Sequence, residues 1–166
     1  MKKLSVAVLM FMSVAARADV DAFFATEVVN VRWGSTLQQI QAAHPGGAAW
    51  PNDGPLSSEG HVYDVAGEFR VLGLNFPAHT VDFCFSKDDK LDRAILHFRY
   101  ADRDDVLYSL AEVLGQDYDV RDEKLTRVFR WKAGRQSAVK LSISTDPRLP
   151  WAYLSVYRRQ VPHNPM

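Results

Sequence analysis

Cys84 and the histidines His44, His61, His79, His97 and His163 are the side chains here with most chemistry to offer. Nucleophilic catalysis would need the thiol, or a serine, beside a base. Cys84 lies in a strand-like segment where the hairpin register sets it opposite Arg93, and a neighbouring cation can lower a thiol pKa. There is no Cys-x-x-Cys, and the nearest histidine on that face, His97, falls opposite Thr80, so Cys84 reads as a small packed residue. The histidines stand one at a time, without the i, i+4 pair or the His-Glu-x-x-His run of a zinc site. Acidic residues cluster at Asp88-Asp89, at Asp102, Asp104 and Asp105, and at Asp117, Asp119, Asp122 and Glu123. None has the alternating oxygens, central Gly and closing Glu of a calcium loop. Gly-x-Gly-x-x-Gly, phosphate-loop and Gly-x-Ser-x-Gly patterns are missing too. The sequence thus names no catalytic residue, no metal ligand and no cofactor, and it reads as a protein that is not an enzyme.

The start of the chain speaks for compartment. Met1-Lys2-Lys3 is cationic, residues 4–14 are uncharged and mostly apolar, and Ala16-Arg17-Ala18 offers small residues where a signal peptidase cuts. The apolar run is shorter than the roughly 20 residues that span a bilayer. Residues 1–18 are therefore expected to be a signal peptide, and residues 19–159 one domain followed by a mobile tail, 160–166. Removal of 18 residues leaves 148 of the 166, and the loss of Lys2, Lys3 and Arg17 from a chain with 20 basic and 20 acidic residues leaves a net charge of −3. That charge gives no reason to expect nucleic-acid binding. A single cysteine far from the cleavage site rules out an internal disulfide and a lipidated N-terminal Cys, so the expectation is a periplasmic protein with no membrane anchor.

Hydrophobic spacing then lays out the elements that position everything else. Residues 27–33 alternate as a strand. Ser35 with Gln38 makes a capping box for a helix that ends near His44, before Pro45. Residues 45–60 are rich in Pro and Gly and read as a long loop carrying Trp50-Pro51-Asn52-Asp53-Gly54. Residues 61–65 and 68–75 read as strands around a turn at Ala66-Gly67. Residues 79–86 and 91–100 form the clearest hairpin, pairing Ser86 with Leu91, Phe83 with Ala94 and Val81 with Leu96. A second helix covers 103–114, with Asp102 before it and Gly115 after it. Residues 116–124 read as a charged loop, 125–132 and 137–144 as a second hairpin, and 152–158 as a last strand.

This order predicts an α+β fold: an antiparallel sheet of hairpins with two helices packed on one face. Two helix-plus-sheet units, 27–100 and 101–158, fit an internal repeat, although Leu37 matches Val106 while Ile40 matches Ser109. Trp33-Gly34-Ser35-Thr36-Leu37-Gln38-Gln39-Ile40 resembles the strand, glycine and capped-helix opening of the superfamily that contains beta-lactamase inhibitory protein and the small outer-membrane assembly lipoproteins. The resemblance implies a binding module with an uncovered sheet face. It carries over no functional residue.

Two surfaces are the candidates for contact. One is the outward sheet face, with Arg99, Arg130, Lys132, Lys140, Tyr153 and Tyr157, a mixture of cations and tyrosines of the kind that anchors partners. The other is the loop of Trp50, Asn52 and Asp53. The function expected is occlusion of another protein, an exported hydrolase or a toxin, in the manner of an inhibitor or immunity protein. A small-ligand carrier, an envelope structural module and an enzyme of unrecognised type are the alternatives.

Overall fold

Asp19, the first residue that the structure describes, is a helix cap, its carboxylate accepting from the Asp21 N–H at 3.0 Å and so satisfying a donor that a helix start leaves free. The computed structural model describes residues 19–51, 60–72, 74 and 77–159. The expected signal peptide, the expected tail and Asn52 and Asp53 lie outside these residues. Helix α1 (Val20–Phe24) was not anticipated from the sequence; it is five residues long, too short to show a periodic apolar stripe.

Segment 27–33 is not one strand. Val29 and Asn30 have φ of 50° and 60°, so the chain folds back between β1 (Glu27–Val28) and β2 (Val31–Arg32). Two left-handed residues in a row make the hairpin turn that suits twisted strands, and they leave Val29 only partly buried. Helix α2 (Leu37–Ala43) is capped by Thr36, not Ser35, with Gln39 completing the box. The sequence offers the same spacing one residue earlier, but Ser35 is otherwise engaged: its carbonyl accepts from the Leu91 N–H at 2.9 Å.

Next come β3 (Ala48–Pro51), β4 (His61–Phe69), β5 (Ala78–Phe85), β6 (Leu91–Phe98), a short 3-10 turn over Tyr100–Asp102, α3 (Arg103–Leu114), β7 (Tyr118–Glu123), β8 (Thr126–Trp131), β9 (Ser137–Ser144) and β10 (Ala152–Arg158). Four expectations are corrected here. Trp50 sits in an edge strand rather than in a loop; Pro51 ends that strand, where a missing N–H costs no ladder bond. Ala66-Gly67 is not a turn: β4 runs through it, and the register shift between Ala66 and Phe69 marks a bulge, which is the other use of a strand glycine. The charged loop 116–124 contains β7, whose alternating charges are typical of an edge that must not recruit further strands. The hairpin register holds for Phe83–Ala94 and Val81–Leu96, but a shift after Cys84 places Phe85, not Ser86, opposite Leu91.

The fold is α+β. Eight strands make one antiparallel sheet in the order β3-β4-β5-β6-β10-β9-β8-β7, and β1 and β2 make a small second one. Among the described residues there are three α-helices rather than two. Val20, Phe24, Ile40, Val106, Leu110 and Leu114 from these helices join Tyr63, Val81, Phe83, Phe85, Leu96, Phe129, Trp131, Leu141, Leu154 and Val156 of the strands in one buried cluster. Because alternate strand residues point to opposite faces, one face of the sheet is the floor of this core. Polar contacts also tie α1 to the sheet. The Asp21 carboxylate accepts the backbone N–H groups of Arg135, Gln136 and Ser137 in the β8–β9 connection, the last at 2.8 Å. The Phe24 carbonyl accepts both the Trp33 indole N–H and the Ser137 hydroxyl.

Each half of the large sheet is one helix followed by four strands in chain order, and the halves meet at their last strands, β6 and β10. The pairing registers make the correspondence quantitative. The row Asp64, Asp82, Ile95, Ser155, Lys140, Arg130 crosses six strands through successive paired residues. Counted outward from the Ile95–Ser155 pair, the register matches β4 with β8, β5 with β9 and β6 with β10. It sets Tyr63 on Phe129, Val81 on Val139 and Cys84 on Ser142. No helix among the described residues is long and apolar enough to cross a membrane.

Candidate binding face

The other face of the sheet is the candidate site. The residues that alternate with the core positions point to it, and no described helix contributes to that side. Three rows organise it. The central row is the one just named. On one side runs Trp50, Val62, Cys84, Arg93, Tyr157, Ala138; on the other Thr80, His97, Tyr153, Ser142, Val128, Arg121. Paired residues in antiparallel strands share a face and sit about 5 Å apart, so each row is a contiguous line of side chains.

Of the residues expected to bind, Arg130, Lys140, Tyr153 and Tyr157 come together here. Arg130 and Lys140 are register partners. The Lys140 ammonium and the Arg93 guanidinium each lie 5.9 Å from the Tyr157 ring centroid. Trp50 belongs to the same face, at the far end of the Tyr157 row and 46% exposed. Trp50, the one described residue of the expected loop surface, thus shares a sheet face with the expected cations and tyrosines. Lys132 is an exposed residue just past the end of β8. Arg99 does not join the cluster. It follows β6, caps the 3-10 turn and pairs with Asp102 at 3.3 Å. Its place, four residues beyond Ile95 and three strands from Arg130, puts it roughly 20 Å away.

The structure adds Trp151, Asp64 and Ser142 to this face and shows what His97 and Asp82, which alternation already puts there, contact. Trp151 stacks on Tyr153 with ring centroids 5.0 Å apart. His97 Nε2 lies 2.8 Å from an Asp82 carboxylate oxygen. Asp64 is the register partner of Asp82, and burial first, then its hydrogen bond to Asp82, pushes the Asp64 carboxyl above the ordinary carboxylate value. Burial likewise pushes the Cys84 thiol up, against the lowering effect of Arg93, so the thiol is held protonated rather than as a nucleophilic thiolate. Near the β7 end, Val128, Lys140, Ser142 and Tyr153 line a depression of 490 Å³. At its floor the buried Ser142 hydroxyl has no hydrogen-bond partner among the described residues. The signal that could have found these residues was the register itself. Alternation puts Asp82, Arg93, His97, Lys140 and Arg130 on one side, and the pairing of β4 with β5 sets Asp64 beside Asp82.

No protein-family model matches this chain, and neither a curated protein nor a solved structure does.

Proposed function

We propose that the chain is an exported protein-binding module that acts by occluding another protein with its open sheet face. The observation that carries this reading is the concentration of Trp50, Arg93, Arg130, Lys140, Tyr153, Tyr157 and Trp151 on the one face of an eight-stranded sheet to which no described helix contributes. Tyr, Trp and Arg are the residues that carry most energy in protein interfaces. Eight strands about 4.8 Å apart and some six residues long give a surface of roughly 34 by 20 Å. Such a patch buries about 700 Å² on each side, which meets the size of a specific complex. The Arg130–Lys140 end suits an acidic patch on the partner. Export rests on residues 1–18 and places the partner in the periplasm, as a hydrolase or a toxin. The superfamily resemblance and a duplication of units 27–100 and 101–158 belong to the same proposal; the two-fold correspondence of the strands supports the duplication.

The test uses the mature chain, residues 19–166, as bait for periplasmic proteins, with Arg130→Glu/Lys140→Glu alongside. The reading expects a captured protein whose association with the double variant slows at least about tenfold at low salt and less at high salt, because steering is screened over about 8–10 Å. Equal association of both baits at low salt would defeat it.

A further inference from the structure

The central row of the open face is electrically lopsided. It opens with Asp64 beside Asp82, passes the uncharged pair Ile95 and Ser155, and closes with Lys140 beside Arg130. Like charges directly opposite on paired strands oppose folding, and this face has such a pair at each end. The two ends do not relieve one another. Asp82 and Lys140 are three strand spacings apart, roughly 14 Å, and Asp64 and Arg130 five, roughly 24 Å. Both distances exceed the screening length of about 8–10 Å. Local partners offset the ends only in part. His97 faces Asp82, and Glu123 pairs with Arg130 at 2.7 Å. Asp119 is the register partner of Arg130 on β7, and Arg121, the next residue of β7 on this face, adds a cation there.

We infer that the open face binds a second copy of this chain, in a face-to-face dimer whose two-fold axis runs parallel to the strands between β6 and β10. Two in-plane axes would superpose the rows of two stacked faces. The axis across the strands lays Asp64 and Asp82 on the same pair of the other copy and is repulsive. The axis along the strands turns the row end for end, so the two aspartates of each copy lie over Lys140 and Arg130 of the other. The contact is isologous, the form that closes as a dimer. Ile95 and Ser155, uncharged, occupy the centre, and Arg93 of one copy meets the Tyr157 ring of the other. The inference goes beyond the binding reading, since a second copy and a foreign partner would compete for one face.

The experiment is sedimentation equilibrium of the mature chain at several concentrations in low and high salt, with circular dichroism as the check on folding. Wild type is expected to dimerise and to weaken with salt. Arg130→Glu/Lys140→Glu makes both ends acidic, and Asp64→Lys/Asp82→Lys makes both ends basic. Each alone is expected to lose at least about tenfold in dimer affinity, and an equimolar mixture of the two is expected to recover a dimer containing one of each. If the lysine variant fails to fold, Asp64→Asn/Asp82→Asn replaces it; this variant should also dimerise more weakly than wild type. A wild type that stays monomeric at low salt overturns the inference, as does a dimer indifferent to these substitutions. Those results leave the foreign-partner reading standing, whereas a dimer with no captured partner would remove that reading and keep this one.

Discussion

Removing the Asp21 carboxylate should cost about 3 kcal/mol of folding stability. The group is the only polar tie described between α1 and the β8–β9 connection that uses a charge. It takes the backbone N–H groups of Arg135, Gln136 and Ser137, with the Ser137 bond at 2.8 Å. A hydrogen bond to a charged group contributes about 1.5–3 kcal/mol. Three at the low end of that range would give about 4.5 kcal/mol, and partial exposure lets water recover a share, so about 3 kcal/mol remains for Asp21→Ala. At about 2–4 °C per kcal/mol for a chain of this size, the melting temperature should fall about 6–12 °C. Gly134 gives an independent route to the same contact, because a Cβ there would fall on the Asp21 carboxylate. Gly134→Ala should displace that carboxylate and cost a similar amount. Urea unfolding of both single variants and the double variant forms a cycle. If both act through one contact, the double variant should be little worse than the worse single, a coupling of about 2 kcal/mol. Additive losses, or an Asp21→Ala midpoint equal to wild type, would refute the reasoning.

Other outcomes follow from the same geometry. Phe83→Ala and Trp131→Ala empty fully or nearly buried sites and should each cost about 3–5 kcal/mol by denaturant unfolding; an unchanged midpoint would mean that the strand faces are assigned the wrong way round. Tyr63→Phe should cost about 1–2 kcal/mol in the same assay, since its hydroxyl donates to the His44 carbonyl at 2.8 Å and accepts the Gly47 N–H at 2.9 Å, tying the end of α2 to β4. The raised Asp64 carboxyl means that the folded state holds this proton more tightly than the unfolded chain does. Its contribution to stability is full below the ordinary value of 3.8 and is lost as pH rises through the raised value. Asp64→Asn should therefore gain on wild type between pH 4 and pH 7, by about 0.5 kcal/mol on the scale of a like-charge cross-strand pair; melting curves showing the opposite trend would contradict it. Intact mass of protein recovered from the periplasm should match a chain beginning at Asp19, and retention of Met1 would remove the export reading.

Much of the sheet was legible because its central strands obey a period of two. Residues 79–86, 91–100, 137–144 and 152–158 each carry an apolar set on one side, and β5, β6, β9 and β10 follow within a residue or two. Helix α3 was legible for the same kind of reason, with Val106, Leu110 and Leu114 at helical spacing. What escaped notice lies at the edges. Strands β3 and β7 are held by backbone pairing to one neighbour, so their side chains carry little apolar pattern: Trp50 read as loop because of the Pro and Gly around it, and Tyr118–Glu123 because of its charges. Helix α1 is fixed by contacts with residues more than 100 positions away, through Asp21 and Phe24, and no local pattern records them. The tyrosines and cations of the open face were found by alternation. Their opposing acidic end was not, because it needed the order in which strands from distant parts of the chain lie side by side.

The claim that the open sheet face is the contact surface is tested most directly by photocross-linking in living cells. A photoreactive residue replaces Tyr153 or Tyr157 on the open face, and in separate strains the exposed Tyr108 on the outer side of α3. The account predicts light-dependent adducts of a larger protein from both sheet positions and none from Tyr108, with adducts of twice the chain mass marking the second copy. Adducts confined to position 108, with both sheet positions unreactive, would contradict it.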